Sequence, residues 1–345
     1  MREHFTGSYD GVLWYIILKK KFMKIDKNFG IGFSCSFVSA FFWGTSYIGA
    51  GYLLNGSYMS PMTLSFCRFL GAGLILLTGC LILYKRQLWD FSPWMMAKMI
   101  LHGIIGFGGM SCFIFMGQKE ANALNSVMIM AMVPALTTVC ALFTKFRPNL
   151  RQLIAMGISS LGCLLVVGVI TPDGVQLNAF GRGEFLVLLA AGCWVFYTFS
   201  GRIMVPQVGV MIYTLYGMLG AAAAIGVLLF CGIIEPAVFP SKAVPWLVMG
   251  YLILCPTLAA FICWNTAQKY IDLSLQTIMQ YLSPVTVMLL AGPILVEKIT
   301  LLDIIGAVIL IGGMCFNVVA DKIVRPAGMG AKLGVVEKTA VEIVK

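Results

Sequence analysis

Ten long apolar stretches constrain this chain more strongly than any other feature of its sequence. About 20 consecutive apolar residues suffice for one helical crossing of a bilayer. The connections between the stretches are short, so neighbouring helices are expected to run antiparallel. The predicted spans lie near Phe29–Leu54, Met62–Tyr84, Met95–Gly117, Asn122–Phe143, Leu150–Ile170, Glu184–Ile203, Gly209–Ile233, Val244–Thr266, Ser274–Val296 and Leu302–Ala320. We therefore predict an all-α membrane protein with ten transmembrane helices.

The charged residues support this class and indicate an orientation. Only 11% of the 345 residues are charged, whereas soluble domains carry about 25%. The net charge of +10 comes from basic residues at the ends of apolar stretches, where they orient spans, so it does not indicate nucleic-acid binding. With the amino end inside, the inner loops hold Lys85, Arg86, Lys145, Arg147, Arg151, Arg202 and Lys269, and the outer loops hold Lys119, Arg182, Lys242 and Lys298. This bias predicts an inner-membrane protein with both termini in the cytoplasm.

Polar segments divide the chain. Residues 1–28 form a basic cytoplasmic segment without the pattern of a secretory signal, and Met1 and Met23 both remain alternatives for the start. Residues 171–183 form the longest connection and separate residues 29–170 from residues 184–320. Residues 321–345 form a polar cytoplasmic tail. We predict that the two central segments are equivalent halves of five spans each.

The fourth and ninth spans carry the clearest internal repeat. Ala121–Phe143 and Ile271–Pro293 are both apolar, and each has a proline at the matching place, Pro134 and Pro284. Ordinary kinked spans are one interpretation, and hinged helices beside a central path are the other. Because five spans are an odd number, a five-span repeat must be inverted across the membrane. Two inverted halves can exchange conformations and open one site first to one side and then to the other.

The sequence lacks the patterns of an enzyme or a metal site. His4 and His102 are its two histidines, and it has no CxxC, HExxH or phosphate-binding loop motif. All eleven cysteines lie within apolar stretches, where cysteine behaves as a small buried packing residue. We predict no catalytic activity, no metal and no cofactor.

Three motifs carry a resemblance to a known family. They are FVSAFFWGTSYIGA at residues 37–50, FCRFLGAG at residues 66–73 and LVEKITLLDIIGAVILIGGM at residues 295–314. Their order over ten spans resembles the drug/metabolite transporter superfamily, in particular the EamA-type permeases. The first-half counterpart of the third motif departs from the pattern, since Phe146 stands where an acidic residue is usual. The resemblance implies a ten-helix carrier of small metabolites or drugs, often an exporter.

Two ionisable residues inside spans are candidate site residues. Arg68 lies within the second span, where a central arginine costs about 2.5–3.5 kcal/mol on the insertion scale. It either pairs structurally with backbone carbonyls or faces the path and binds a substrate carboxylate. His102 lies in the third span and either bonds to a neighbouring backbone or carries protons, because its pKa is ordinarily near neutrality.

Amides and mid-span aromatics complete the predicted substrate site. The amides of Asn125, Gln276 and Gln280 either join helices or bind polar substrate atoms. The aromatic side chains either pack a core or wall a cavity; they are Trp43, Tyr47, Trp194, Tyr197, Trp264 and Tyr281. We expect the cavity to lie among the first, third, fourth, sixth, eighth and ninth spans.

Together these features predict a permease that moves a small metabolite by alternating access, in the direction of export. An amino acid or a similar neutral, zwitterionic or anionic solute is favoured, because no Asp or Glu lies deep in a span. A drug or nucleotide-sugar carrier of the same superfamily is the alternative, and a channel is a further one. The expected partners are the solute and the lipid bilayer, and the protein is a monomer or a homodimer.

Overall fold

The computed structural model describes residues 27–166, 170–171, 174–175, 181–233, 235–295 and 301–324. Almost all of these residues are helical. Most of the predicted basic segment 1–28 and of the tail 321–345 lies outside the described residues, as does the charged turn at residues 297–298.

Thirteen α-helices are described. They are α1 Lys27–Asn55, α2 Pro61–Leu83, α3 Pro93–Gly103, α4 Met110–Ala131, α5 Val133–Leu142, α6 Leu150–Val166, α7 Arg182–Val208, α8 Val210–Phe230, α9 Ala243–Leu252, α10 Ala260–Tyr270, α11 Leu273–Ile278, α12 Leu282–Leu295 and α13 Leu301–Val324. Two short strands, β1 (Ile170–Thr171) and β2 (Gly174–Val175), pair antiparallel between the two halves.

Six helical segments are long and apolar enough to cross a membrane. They are Asn28–Asn55, Pro61–Leu83, Pro93–Glu120, Arg182–Val208, Val210–Phe230 and Ala243–Tyr270. Three further helices are also apolar but shorter, and they are Ile129–Leu142, Leu150–Leu165 and Ile304–Asn317. The protein is therefore a helical, multi-pass membrane protein, and ten complete crossings stay a prediction.

The boundary predicted between the third and fourth spans is wrong. Helix α4 continues through residues 118–121 and is interrupted only at Met132. The sequence QKEA at residues 118–121 consists of good helix formers, so the polar step does not end the helix. Pro134 instead lies in the first turn of α5, where a missing backbone N–H costs nothing.

Pro284 has a matching position in the second half. A 3-10 turn at Met279–Tyr281 separates α11 from α12, and Pro284 lies in the first turn of α12. Both predicted hinge prolines thus follow directly after an interruption of their helix. Their role as hinges stays a prediction.

A π-helical turn interrupts the same long helix of each half. Ile104–Gly109 joins α3 to α4, and Ile253–Ala259 joins α9 to α10. A π-turn inserts one residue into an α-helix, and such turns often occur at functional sites. The sequence analysis missed both, although a glycine-rich IIGFGG and Pro256 mark the two positions.

Helix α1 packs between segments of the second half. The Ser39 hydroxyl donates to the Ala260 carbonyl, 2.8 Å away, and Trp43 Nε1 donates to the Pro256 carbonyl at 3.2 Å. The later residue of α1, Trp43, thus contacts the earlier residue of its neighbour, so α1 runs antiparallel to α9–α10. The Ser283 hydroxyl donates to the Ala40 carbonyl at 2.8 Å, where α12 lies beside α1.

Helices in equivalent positions also pack against one another. Helix α2 packs on α8, where Phe66 lies close to Gly226 and Leu219 close to Gly73. Helix α6 packs on α13, where the Ser159 hydroxyl donates to the Leu310 carbonyl at 3.2 Å. Helix α7 also packs on α4, and α1 packs on α10. The two halves therefore share one interface rather than forming separate bundles.

One close backbone approach shows how tightly the helices pack. A methyl group at Gly103 of α3 would overlap the backbone of Gly217 in α8. Small residues let membrane helices approach this closely, which increases their van der Waals contact. By contrast, a methyl group at Gly157 of α6 would meet nothing within 4 Å.

We expect Gly103→Leu to destabilise the protein by about 1–3 kcal/mol or more, because the added side chain must force α3 and α8 apart. The thermal unfolding midpoint of the detergent-purified protein measures this effect. Gly157→Leu is the matched control and should leave the midpoint unchanged. Equal midpoints for the two variants would contradict the close approach.

Candidate functional site

A central cavity lies where the two halves meet. The cavity and the open space at its mouth together measure about 800 Å³. The lining residues come from α1, α2, α4, α7, α10 and the segment from the 3-10 turn into α12. They are Trp43, Ser46, Tyr47, Arg68, Phe69, Met110, Ser111, Ile114, Phe115, Met130, Ala131, Trp194, Phe261, Gln280, Ser283 and Pro284. All six expected spans contribute, and α2 contributes in addition.

Aromatic rings form one wall of the cavity. The Trp43 ring centroid lies 4.9 Å from that of Trp194, 5.1 Å from that of Trp264 and 5.4 Å from that of Phe261. The Trp43 indole N–H is held by the Pro256 carbonyl in the second π-turn. Because packed rings and one hydrogen bond fix Trp43, this wall offers a flat apolar surface of defined orientation.

Arg68 provides the positive charge of the cavity wall. Its side chain is only 6% exposed. Its Nε donates to Thr257 Oγ1 at 2.9 Å, and Thr257 in turn donates to the Leu252 carbonyl at 2.7 Å. The guanidinium also lies 5.3 Å from the centroid of the Phe115 ring, within the range of a cation–π contact.

The Arg68 guanidinium has no carboxylate partner in the described part of the chain. The ion pair found there joins Arg182 to Glu120, 3.7 Å apart. The hydrogen bond described for Arg68 uses Nε alone, so the two terminal nitrogens keep their donors. A guanidinium presents these donors as a planar fork that matches a carboxylate. The arrangement can therefore bind an anionic group.

Gln280 adds a second unused donor. Its Oε1 accepts from Trp194 Nε1 at 2.8 Å, which fixes the orientation of the amide. Its Nε2 is buried and has no hydrogen-bond partner among the described residues. A buried N–H without a partner costs about 1–3 kcal/mol. A carbonyl or carboxylate oxygen in the cavity would satisfy it.

The structure places the predicted residues in two groups. Trp43, Tyr47, Arg68, Trp194 and Gln280 line the cavity together with Pro284. The side chain of Asn125 lies outside the described part, and Pro134 is buried away from the lining.

The remaining predicted residues lie in the surrounding packing. Tyr197 and Trp264 are fully buried behind the aromatic wall, and the Tyr197 hydroxyl accepts from Asn265 Nδ2 at 2.8 Å. The Tyr281 hydroxyl bonds to Ser160 Oγ at 2.6 Å beside a separate cavity of about 370 Å³. The His102 ring packs edge-on against Phe196, with its centroid 5.4 Å away.

Gln276 joins helices rather than lining the cavity. Its Oε1 accepts from Arg202 at 3.0 Å, and its Nε2 donates to the Trp264 carbonyl at 2.8 Å. Arg202 also donates to the carbonyls of Gln268 and Ile271, 3.1 and 2.6 Å away. A cation at the carbonyl end of a helix is favourable, so this network fixes the turn from α10 to α11.

Several lining residues were missed by the sequence analysis. They are Ser46, Phe69, Met110, Ser111, Ile114, Phe115, Met130, Ala131, Phe261 and Ser283. Ser46 follows Trp43 by three residues, and Ile114 follows Met110 by four. These steps place each pair on one helix face. Extending the face of Trp43 would have found Ser46, whereas Met110 and Ile114 share a face that held no predicted residue.

The described residues contain no group of three or more His, Cys, Asp or Glu side chains that could hold a metal ion. Their cysteines are free thiols. The residues that line the cavity offer a solute an aromatic surface, the Arg68 cation and the amide of Gln280.

Two segments of the sequence match one and the same family. The EamA-like transporter family matches residues 30–168 and again residues 181–319. The chain belongs to this transporter family. The two matches meet at the connection that contains β1 and β2, and they confirm the resemblance seen in the motifs. This EamA-like transporter accordingly acts on a small-molecule solute in a lipid bilayer.

Its curated relatives are transporters of the same kind. The uncharacterized transporter YyaM of Bacillus subtilis is 26% identical over 218 residues, which cover 62% of this chain and 70% of YyaM. The uncharacterized inner membrane transporter YedA of Escherichia coli is 24% identical over 261 residues, 75% of this chain and 81% of YedA. The aromatic amino acid exporter YddG of Ancylobacter novellus is 29% identical over 203 residues, 56% of this chain and 65% of YddG.

A solved structure shares the fold. The crystal structure of another protein aligns with this chain at a TM-score of 0.68 and 20% sequence identity. The alignment covers 84% of this chain and 98% of the chain in that crystal structure. At this identity the likeness concerns the fold alone.

We expect Gln276→Leu to lower the thermal unfolding midpoint, because the substitution removes one acceptor of the half-buried Arg202 guanidinium and the donor to the buried Trp264 carbonyl, at a cost of about 1–3 kcal/mol. Gln207→Leu is the control, since Gln207 is exposed and bonds within its own helix. Solute affinity of the folded fraction should stay unchanged. Weaker affinity at an unchanged midpoint would place Gln276 in the binding site instead.

Proposed function

We propose that the protein exports a small solute that combines a carboxylate with a flat apolar group, and that an aromatic amino acid is the class that fits. The single observation that carries this proposal is the buried Arg68 guanidinium at the cavity wall, which has no carboxylate partner in the described part of the chain. A substrate carboxylate would supply the missing anion and offset the cost of burying the charge.

The aromatic wall supports the second half of the proposal. Trp43, Trp194 and Phe261 face the cavity beside Arg68, so a bound solute that reaches Arg68 with its carboxylate can lay its side chain on the rings. Aromatic pairs contribute about 0.5–1.5 kcal/mol beyond the burial of their area. The aromatic amino acid exporter YddG is a distant relative, which favours both the substrate class and the direction.

The mechanism we propose is alternating access between two inverted five-helix repeats. Equivalent helices α2 and α8 pack in opposite directions, because Phe66 meets Gly226 while the later Gly73 meets Leu219. The two family matches and the paired π-turns support the same internal symmetry. In this arrangement both termini are cytoplasmic, and the lining residues Tyr47 and Arg68 lie in the outer halves of α1 and α2.

The alternative carriers fit the cavity less well. A nucleotide-sugar site requires several cations for its phosphates, whereas Arg68 is the only Lys or Arg among the lining residues described. A cationic drug would meet this charge unfavourably. A channel would show flux that does not saturate and no counterflow.

The direct test is solute binding and counterflow with purified protein. L-Phenylalanine should raise the thermal unfolding midpoint and show counterflow in reconstituted vesicles. L-Phenylalaninamide lacks the carboxylate and should do neither, whereas L-alanine lacks the ring and should bind more weakly. Equal responses to L-phenylalanine and its amide would contradict the proposed role of the carboxylate.

We expect Arg68→Ala to weaken L-phenylalanine binding roughly 30-fold or more, because breaking a desolvated ion pair costs about 2 kcal/mol or more. Arg68→Lys keeps the charge but lacks the planar fork, so its affinity should lie between those of the wild type and Arg68→Ala. Equilibrium binding measures both. Arg182→Ala is the control, since Arg182 is a surface residue whose side chain is 75% exposed. Unchanged affinity in Arg68→Ala would remove this residue from the site.

We expect Gln280→Leu to weaken L-phenylalanine binding about 2- to 13-fold, because a neutral hydrogen bond to the solute is worth about 0.5–1.5 kcal/mol. The variant removes an unpaired buried N–H but also leaves Trp194 Nε1 without its acceptor. These two effects offset each other, so the amount of folded protein should change little. Size-exclusion yield and binding affinity are compared in one preparation. Parallel losses of yield and affinity would indicate a packing role.

A further inference from the structure

The lining of the central cavity carries a net positive charge. Arg68 is the only charged residue among the lining residues described, and no Asp or Glu belongs to them. The other polar side chains of the lining are neutral; they are Ser46, Tyr47, Ser111, Gln280 and Ser283. A solute with one negative charge therefore balances the cavity, whereas a zwitterion leaves the cavity positive.

The neutral polar groups are weak partners for a second cation. The Ser283 hydroxyl donates to the Ala40 carbonyl at 2.8 Å, and Ser111 Oγ bonds to Ser65 Oγ at 2.9 Å. Their oxygens can still accept a hydrogen bond, but a buried ammonium without a counter-charge is costly. The unpaired group of Gln280 is a donor, and an ammonium also offers only donors.

One carboxylate contacts the helix that carries Arg68, but it does not line the cavity. Glu235 Oε1 accepts from the Met62 backbone N–H at 2.9 Å, in the first turn of α2. Six residues separate Met62 from Arg68, which corresponds to about 9 Å along a helix. Glu235 is not among the lining residues described. It therefore does not supply a counter-charge to a cation bound beside Arg68.

An α-amino acid carries its ammonium on the carbon next to its carboxylate. When the carboxylate pairs with Arg68, this ammonium lies within roughly 6 Å of the guanidinium, the range over which a like charge disfavours a charged group. An aromatic acid without the amino group keeps the carboxylate and the ring and avoids this repulsion. The charge of the cavity thus favours the acid over the amino acid.

We propose that the cavity takes aromatic monocarboxylates without an amino group as a second substrate class, and that it binds them more tightly than aromatic amino acids. This inference rests on the role of Arg68 in the proposed function. Hydrocinnamate is phenylalanine with hydrogen in place of the amino group, and L-phenyllactate has a hydroxyl there. Both keep the carboxylate for Arg68 and the ring for the aromatic wall.

Equilibrium binding to the full-length protein in lipid nanodiscs at neutral pH tests this proposal. Hydrocinnamate and L-phenyllactate should each bind about tenfold or more tighter than L-phenylalanine, because like charges placed together are costly. Equal or tighter binding of L-phenylalanine would overturn the proposal. L-Phenyllactate separates charge from polarity: if it bound as weakly as L-phenylalanine while hydrocinnamate bound tightly, polarity would explain the difference, and the proposal would fall.

Arg68→Gln tests whether the preference arises from the guanidinium. Without this cation, the advantage of the two acids over L-phenylalanine should shrink to roughly twofold or less, as a double-mutant comparison of protein and solute charges requires. Gln280→Leu is the matched control, because the amide is neutral, and it should weaken all three solutes by a similar factor. A preserved tenfold advantage in Arg68→Gln would overturn the proposal, and if this variant fails to fold, the wild-type comparison decides alone.

The outcomes distinguish this inference from the proposed function. Binding and counterflow of L-phenylalanine without binding of either acid would reject the second substrate class alone. Binding of both acids without binding of L-phenylalanine would reject aromatic amino acids as substrates and support the inference. If none of the three solutes binds, both proposals are rejected.

Discussion

The buried guanidinium of Arg68 determines which groups must surround it inside the apolar helix bundle. Moving Arg68 away from bulk water is costly, and the described residues supply no carboxylate to offset that cost. They supply a hydroxyl from Thr257 and the face of Phe115 instead. Thr257 can accept from Arg68 because it gives its own proton to the Leu252 carbonyl. The charge is thus positioned but not neutralised, which leaves it available to an anion.

The internal repeat explains where the cavity forms. Each half places a tryptophan, Trp43 or Trp194, at the same position of its first helix, and the two indoles meet with centroids 4.9 Å apart. Their N–H groups are used differently: one donates to a backbone carbonyl of the second π-turn, and the other to the Gln280 amide. The symmetric positions thus have unequal surroundings, because the residues next to the two indoles differ between the halves.

Sequence reasoning predicted the helical membrane class, the two halves and five lining residues, because length, polarity and apolar patterning are local properties. Polar residues such as Arg68 and Gln280 stand out within apolar stretches. Gln276 and Gln280 could not be separated in this way: they are four residues apart, but Gln276 lies in α11, whereas Gln280 lies in the 3-10 turn at Met279–Tyr281 that follows it. The helix boundary at residues 118–121 was wrong because polarity alone does not end a helix. The π-turns depend on tertiary packing and left only weak signals.

The wide turn at Ile253–Ala259 has a consequence for comparing this chain with its relatives. One surplus amino acid in a helix rotates everything after it by about 100°. The side chains of α10 are thus rotated about the helix axis, relative to those of α9, from where an unbroken α-helix would place them. In a homologue that lacks the extra residue, the side chains equivalent to Phe261 and Trp264 would face a different direction, even if all residues of this helix were identical. An alignment gap at this position therefore predicts that the aromatic face of α10 is rotated in that relative.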